Sequence, residues 1–386
     1  MVQIKQGKKE NIIKDLYSEE EFLFMSGHGL ASRRLSSKCE VEILPNTFSQ
    51  PIDVDINLRG NVAKNMINMP EYPYRSVENT IEYIQELKSY GITSVILRPV
   101  GNRGDLSSEQ VLLNQKEILK MIRTQFPKGD IKITVDPFNV ALNADGTWGI
   151  MNKNGEINYI ETCELISKIA IEYSSVGIDE ILTLGRIEGE VEITRKTLEM
   201  INSDIKIKSF SQNTETSNAY IYLNDIPQYT ETGQKILIGN FVEMNLQTLI
   251  DIWEGTDIVV VKPIENLHLI LMTKLFIQDK SNIVNFLNSP ETYKTLIHNS
   301  KAQEKINSIL SDLEGFYEKC KKIKVGSYSV SGTYYLQKKL QIEKNEDFSF
   351  AMMNELVRNA ASAANGYLDH IIDRNALWFI KKLKRS

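Results

Sequence analysis

The chain has few of the residues that build metal modules or covalent cross-links. Its three cysteines, Cys39, Cys163 and Cys320, stand far apart in 386 residues and in no CxxC or CxxH spacing. Neither a zinc module nor a disulfide framework is expected from them, and free thiols in an intracellular protein are the plain reading. The four histidines, His28, His268, His298 and His370, form no HxH or HExxH pair. Gly-x-Ser-x-Gly is missing, which removes support for a hydrolase nucleophile elbow. No GxGxxG follows the first apolar run, which weakens a dinucleotide fold. No apolar run approaches the roughly 18–20 residues of a membrane span. Surplus basic charge is missing too: the formal net charge is -5, so nothing electrostatic points to nucleic acid. The stretch MVQIKQGKKENIIKDLYSEEEF is charged throughout, unlike a secretory signal. A cytoplasmic protein with neither membrane nor nucleic-acid partner is expected.

What remains is ordinary globular composition, 42% apolar and 25% charged, arranged as a regular alternation. Apolar, β-branched runs begin at Ile52 (IDVDINL), Ser94 (SVILRPV), Ile131 (IKITVDP), Glu180 (EILTLGR), Ile205 (IKIKSFS), Asp257 (DIVVVKP) and Lys324 (KVGSYSVS). A weaker eighth, YLDHII, begins at Tyr367. Near-continuous apolar runs of this kind suit buried parallel strands. Segments of helical spacing lie between most of them. One follows Ser76, a candidate N-cap, and ends at Gly91. Eight strands alternating with helices predict a closed (β/α)8 TIM barrel of class α/β, with a doubly wound sheet as the alternative. Residues 1–45 read as an N-terminal arm and 46–386 as the barrel. A helical insertion over about 275–320, between the sixth and seventh runs, reads as two or three helices: a lid, an interface or decoration. The loop VGNRGD after the second run reads as a polar turn more readily than as an anion cradle.

Barrel chemistry sits at the C-terminal ends of the strands. The third run ends in Asp136, the fifth near Ser209, Ser211 and Asn213, the sixth in Lys262 and the seventh in Ser331. Lys262 follows five residues that must be largely buried, and desolvation there favours the neutral amine, which can attack a carbonyl and form a Schiff base. The competing reading is a lysine locked in an ion pair with a carboxylate such as Asp136. Asp136 either orients a substrate amine or caps the next segment, and Ser331 either binds a carboxylate or ends a strand. His268, just after Lys262, reads as a surface histidine more readily than as a site residue.

At this point the residues resemble a family. DIVVVKP is similar to the strand of porphobilinogen synthase (5-aminolevulinate dehydratase) that carries its second Schiff-base lysine, and SVSGTYYL, in the right order, to its VSGEY segment. NMPEYPYRS, from Asn68, resembles the MPG-x-x-R stretch, and ASRRL, from Ala31, an arginine-rich element. GIDEILTLGRIEGEV, from Gly177, aligns without gaps to GAD-x-x-APSDMMDGRV. NAASAANGYL and ALWFI resemble the last strand and helix. The likeness covers roughly 31–274 and 322–382, and implies the same barrel, a lyase that condenses two 5-aminolevulinate molecules through two lysines, and a homo-oligomer built through the arm.

The departures bear on activity. The first lysine of the family lies in a motif like SYSAKY; here the stretch is SFSQNTE, with Asn213 at the lysine position. The zinc stretch DVCLCEYTSHGHCG reads DPFNVALNADGTWG, with Phe138, Val140 and Trp148 at the cysteine positions, none of them a zinc ligand. Asp145 is the acidic group nearby. No cofactor is therefore expected, and magnesium has no support in the residues. Arginines that bind substrate carboxylate align near Glu190 and Leu223. By resemblance, Lys262 is the retained Schiff-base lysine, Asp136 an aspartate near the substrate amine and Ser331 a serine holding its carboxylate: mostly one half of a two-substrate site. The expectation is a diverged enzyme that binds one amino-ketone or keto acid, such as 5-aminolevulinate, through Lys262 and takes a different second reactant. The alternatives are a non-catalytic binding barrel, or true porphobilinogen synthase with a rebuilt pocket in which Lys235 replaces the missing lysine.

Overall fold

The computed structural model describes residues 41–100, 106–144, 146–210, 212–214, 216, 219–224, 239–366 and 368–385. Residues 1–40, most of the expected arm with its ASRRL stretch, and most of the VGNRGD loop, Asp145, Ser211 and Lys235 lie outside the described residues.

Among the described residues ten strands make one sheet: β1 Phe48–Asp55, β2 Ala63–Met66, β3 Met69–Arg75, β4 Ser94–Val100, β5 Lys132–Val135, β6 Glu180–Thr183, β7 Lys206–Ser209, β8 Ile258–Val261, β9 Lys324–Tyr328 and β10 His370–Ile372. Eight of them, β1, β4 and then β5 to β10, pair in parallel in that order. Phe48 and Ser49 of β1 then meet Ile371 and Ile372 of β10 and close the ring. With helices between successive strands, this is a (β/α)8 barrel.

Local rules explain the elements the sequence announces. Ser76 accepts the Asn79 N–H at 3.1 Å and starts the helix Val77–Ser89, which buries Ile84 and Leu87 against the barrel. Gly177 ends the helix Tyr159–Val176 at φ +78, a left-handed conformation that costs glycine nothing.

Two elements differ from expectation and one, the β2–β3 hairpin, was not announced by the apolar runs, each for a physical reason. Strand β1 begins four residues before Ile52 and includes polar Ser49 and Gln50, both buried. They are tolerated because Ser49 bonds Ser94 and the Gln50 amide donates to the Arg374 carbonyl at 2.9 Å. The stretch around NMPEYPYRS, with two prolines, forms the hairpin β2–β3 at the sheet margin, where proline costs no ladder bond. The insertion holds four helices, Lys280–Leu287, Pro290–Leu296, Ser300–Ser311 and Leu313–Cys320. The last two are separated at Asp312, whose carboxylate accepts the Gly315 N–H. These helices bury Ile283, Phe286, Ile309 and Phe316 with Leu249 of the helix Phe241–Glu254, a second apolar core outside the barrel wall.

Inside the barrel, Ile96, Leu182, Ile258, Val260 and Ile372 pack together. Beside them lies a polar layer. Lys208, fully buried, pairs with Glu180 at 2.5 Å, and the Thr134 hydroxyl donates to the same carboxylate at 2.6 Å. Burial works to raise the Glu180 carboxyl, but Lys208 above all holds it down at about 2. His370 is 4% exposed, and neither ring nitrogen has a partner among the described residues. Burial and then the Lys208 charge push its pKa down to about 2. Gly326 makes room for it: a Cβ there would stand 3.1 Å from the His370 Cβ.

Two stability outcomes follow. Lys208→Met strands a buried carboxylate and is expected to cost about 3–5 kcal/mol in urea unfolding. His370 has a folded pKa far below its unfolded value near 6.5, so its stabilising contribution is complete above about pH 6.5 and declines as pH falls toward 2. Between pH 6.5 and 5.0 this group removes about 2 kcal/mol, at about 1.4 kcal/mol per unit; His370→Leu should lack that part of the slope.

Candidate active site

At the C-terminal mouth of the barrel lies a cavity of about 120 Å³. Among the described residues four cationic groups line it: Arg98 of β4, Arg186 after β6, Lys262 after β8 and Arg374 after β10. In ring order these are every second strand, the alternate-strand origin of side-chain layers in such barrels. The strands between them supply Asp136 after β5, Phe210 and Asn213 after β7, and Tyr328 and Ser331 at and after β9.

Lys262 is held by backbone on both sides. Its N–H donates to the Gln212 carbonyl at 3.0 Å, and its carbonyl accepts the Thr214 N–H at 2.9 Å, so the β7–β8 pairing continues past the strand ends with Asn213 directly alongside. Its Nζ stands 5.1 Å and 5.2 Å from the ring centroids of Phe210 and Tyr328, which stack 5.6 Å apart. Both lie within cation–π range.

The arginines were not singled out by sequence reasoning. The Arg98 Nε bonds Asp53, itself 1% exposed, at 2.5 Å; burial works against the guanidinium's charge, but Asp53 more than compensates and its pKa lies well above the ordinary value. Arg186 donates to the Gly146 carbonyl at 2.6 Å and lies 5.1 Å over the Phe138 ring; burial lowers its pKa. Arg374, 6% exposed, donates to the Tyr328 hydroxyl at 2.6 Å and lies 5.3 Å over the Tyr72 ring. Its Nε has no partner, and no carboxylate forms a salt bridge with it, among the described residues. One signal was available: Arg98 interrupts the apolar run SVILRPV near its C-terminal end.

Of the expected residues, Asp136, Lys262 and Ser331 line this one cavity, with Phe138 and Asn213. Asp136 does cap the next segment, accepting the Phe138 N–H at 2.8 Å. Among the described residues it makes no salt bridge to Lys262. Burial raises its carboxyl above the usual range, and Arg98 opposes that more than Lys262 does. Ser331 is the first residue of the helix Ser331–Glu343. Other candidates lie elsewhere. Glu190 is buried, its carboxylate accepting the N–H groups of Leu184 at 2.7 Å and Arg186 at 3.1 Å; burial pushes its pKa up to about 7. Leu223 is 42% exposed. Ser209 bonds the Asp251 carboxylate, and exposed His268 rests on the Phe241 ring.

With the geometry in place, comparison with known proteins decides the ancestry. The family model for delta-aminolevulinic acid dehydratase matches residues 30–275, well over half of the chain. The chain belongs to this family. A delta-aminolevulinic acid dehydratase of Archaeoglobus fulgidus is 27% identical over 234 residues, 58% of this chain and 70% of that protein. A chloroplastic one of Chlamydomonas reinhardtii is 24% identical over 246 residues, 58% and 61% respectively. The crystal structure of the Toxoplasma gondii enzyme, in complex with its reaction product porphobilinogen, superposes with a TM-score of 0.66 over 99% of this chain and 91% of that one. At 17% identity the superposition speaks for the fold. No helix among the described residues is long and apolar enough to cross a membrane.

For a delta-aminolevulinic acid dehydratase family member the metal stretch is unusual. Val140 and Trp148 are each 2% exposed and belong to the main apolar core, and the Trp148 indole N–H donates to the Phe138 carbonyl at 3.0 Å. Apolar side chains packed in this way supply no donor to zinc, so these positions do not fit the metal. Among the described residues no group of three or more His, Cys, Asp or Glu is placed to hold an ion. Trp148 instead acts as core. Trp148→Ala is expected to cost about 3–5 kcal/mol in urea unfolding; a loss below 1 kcal/mol would place the indole outside the packing.

Proposed function

We propose that the chain is a diverged porphobilinogen synthase-like enzyme that holds one small carbonyl compound, an amino-ketone or keto acid, as an imine on Lys262, with a second reactant different from the family's. The observation carrying this reading is that Lys262 shares one cavity with Asp136 and Ser331 while the residue beside it, Asn213, offers only an amide. An amide nitrogen does not form an imine, so one covalent anchor is available where the family uses two. The cavity volume points the same way. About 120 Å³ lies well under the roughly 300–1,000 Å³ of pockets for larger ligands.

In this mechanism the neutral Lys262 amine attacks the substrate carbonyl carbon. The C=O π electrons move to oxygen, and a proton passes from the nitrogen to that oxygen, giving a carbinolamine. Protonation of that hydroxyl expels water, and the nitrogen lone pair forms the C=N bond. Asp136, with its carboxyl raised by burial, is suited to deliver and recover the proton that leaves with water, or to hold a substrate amino group. Ser331 offers a hydroxyl at the N-terminal end of its helix, where a carboxylate is favoured. Glu190 has no direct part, since its oxygens are committed to backbone N–H groups.

Incubation with 5-aminolevulinate or a panel of keto acids, followed by borohydride reduction, tests the reading. One adduct per chain, mapped to Lys262 and missing in Lys262→Ala, is the expected result. Failure of every ketone to give an adduct, or an equal yield in Lys262→Ala, contradicts it.

A further inference from the structure

Strand β6 passes into a short loop, residues 184–189, before the helix Glu190–Met200 begins. Two residues of that loop, Leu184 and Arg186, line the cavity. Backbone N–H groups beyond the end of a strand leave its ladder, and each needs another acceptor where it is buried. Glu190 supplies one. Gly185 and Gly189, at φ +68 and +77, turn the chain tightly enough for its carboxylate to reach back to the loop. One oxygen accepts the Leu184 N–H at 2.7 Å and the other the Arg186 N–H at 3.1 Å. The residue is 5% exposed and opens its own helix, where a negative charge is favoured.

What this carboxylate fixes extends beyond its own loop. With its N–H held, Arg186 reaches the Gly146 carbonyl at 2.6 Å and covers the Phe138 ring at 5.1 Å. The Phe138 N–H in turn donates to Asp136 at 2.8 Å. Glu190 therefore stands at the root of a path that joins the loop after β6 to the segment after β5, which carries Asp136. Burial of a carboxylate is costly, and burial raises its pKa accordingly. An apolar residue of similar size would avoid that cost but would take the acceptor away from both N–H groups.

We propose that Glu190 is a positioning residue of the reaction site: by holding the loop after β6 it sets where Arg186 stands in the cavity wall, without touching the substrate. This role deepens the imine reading and rests on the cavity being where that reaction occurs; the placement of Arg186 itself is measurable with no imine. Lys262 lies outside the path, since the backbone of Gln212 and Thr214 holds it. Loss of the Glu190 charge therefore weakens the hold on the carbonyl compound and spares the reactivity of the amine.

Glu190→Gln keeps the size but turns a donating amide toward a backbone N–H. It is compared with the unaltered chain above neutral pH, where the Glu190 carboxyl, pushed up to about 7 by burial, is ionised. Native near-UV circular dichroism is checked first; if Glu190→Gln does not fold, Glu190→Asp, with the charge kept and the reach shortened, takes its place with the same expectations. Modification of arginines by butanedione in borate, mapped by peptide mass, reads the placement. Arg186 should react about fivefold or more faster in the variant, while Arg98, held by Asp53, changes less than about twofold. Equal Arg186 rates in the two proteins overturn the proposal, as does an equal acceleration of Arg98, the sign of general loosening. Borohydride trapping on Lys262 with 5-aminolevulinate and the keto acids reads the consequence. The half-saturating concentration should rise about fivefold or more, with the maximal rate within about twofold, and adding Glu190→Gln to Arg186→Met should cost nothing further. Losses that multiply in the double variant, or a fall in maximal rate alone, overturn the proposal. If no ketone is trapped, the imine reading fails, and the butanedione rates alone decide whether Glu190 places Arg186.

Discussion

Like charges brought together in a small, partly dry space repel strongly, and the mouth of this barrel brings Arg98, Arg186, Lys262 and Arg374 into a cavity of about 120 Å³. The surroundings are arranged to tolerate that crowding. Asp53 answers Arg98, a backbone carbonyl and the Phe138 ring answer Arg186, and the Tyr328 hydroxyl and the Tyr72 ring answer Arg374. Phe210 and Tyr328 present their faces to Lys262. The same hydroxyls, rings and backbone groups fix where the cations point.

Rigidity beneath the mouth supports this arrangement. The β10 end is tied down by Asp373, which accepts the Ser329 hydroxyl and the Asn375 N–H at 2.5 Å, and by the Arg374 carbonyl, which accepts from Gln50. The hairpin β2–β3 brings Tyr72 beneath Arg374, and the Tyr72 hydroxyl donates to the Pro51 carbonyl at 3.0 Å. Deeper still, the buried Lys208–Glu180 pair links the neighbouring strands β6 and β7 inside the barrel. The insertion between β8 and β9 has its own apolar core and, among the described residues, contributes nothing to the cavity lining.

The barrel was legible in the sequence because its signal is periodic: apolar runs at regular intervals, with caps such as Ser76 and Gly177 between them. Strand β1 was misplaced by four residues because Ser49 and Gln50 look polar until their partners on β4 and after β10 are known. That Lys262, Asp136 and Ser331 lie at one mouth was legible from strand ends, since the rule that places barrel chemistry needs only the end of each run. Arg186 and Arg374 escaped because each lies just past its strand, Arg186 after Leu184 and Gly185 and Arg374 after Asp373, where an arginine looks like surface. Glu190 shows the opposite failure: a carboxylate near the site in sequence is turned inward to cap backbone N–H groups.

The central claim is that this cavity holds a single carbonyl compound covalently on Lys262. The most direct test is carbon NMR of the protein saturated with a ketone labelled at its carbonyl carbon. The account predicts one imine-carbon resonance, integrating to one per chain and missing in Lys262→Met. A spectrum showing only ketone and hydrate carbons across the panel of keto acids, or two imine carbons per chain, would contradict it.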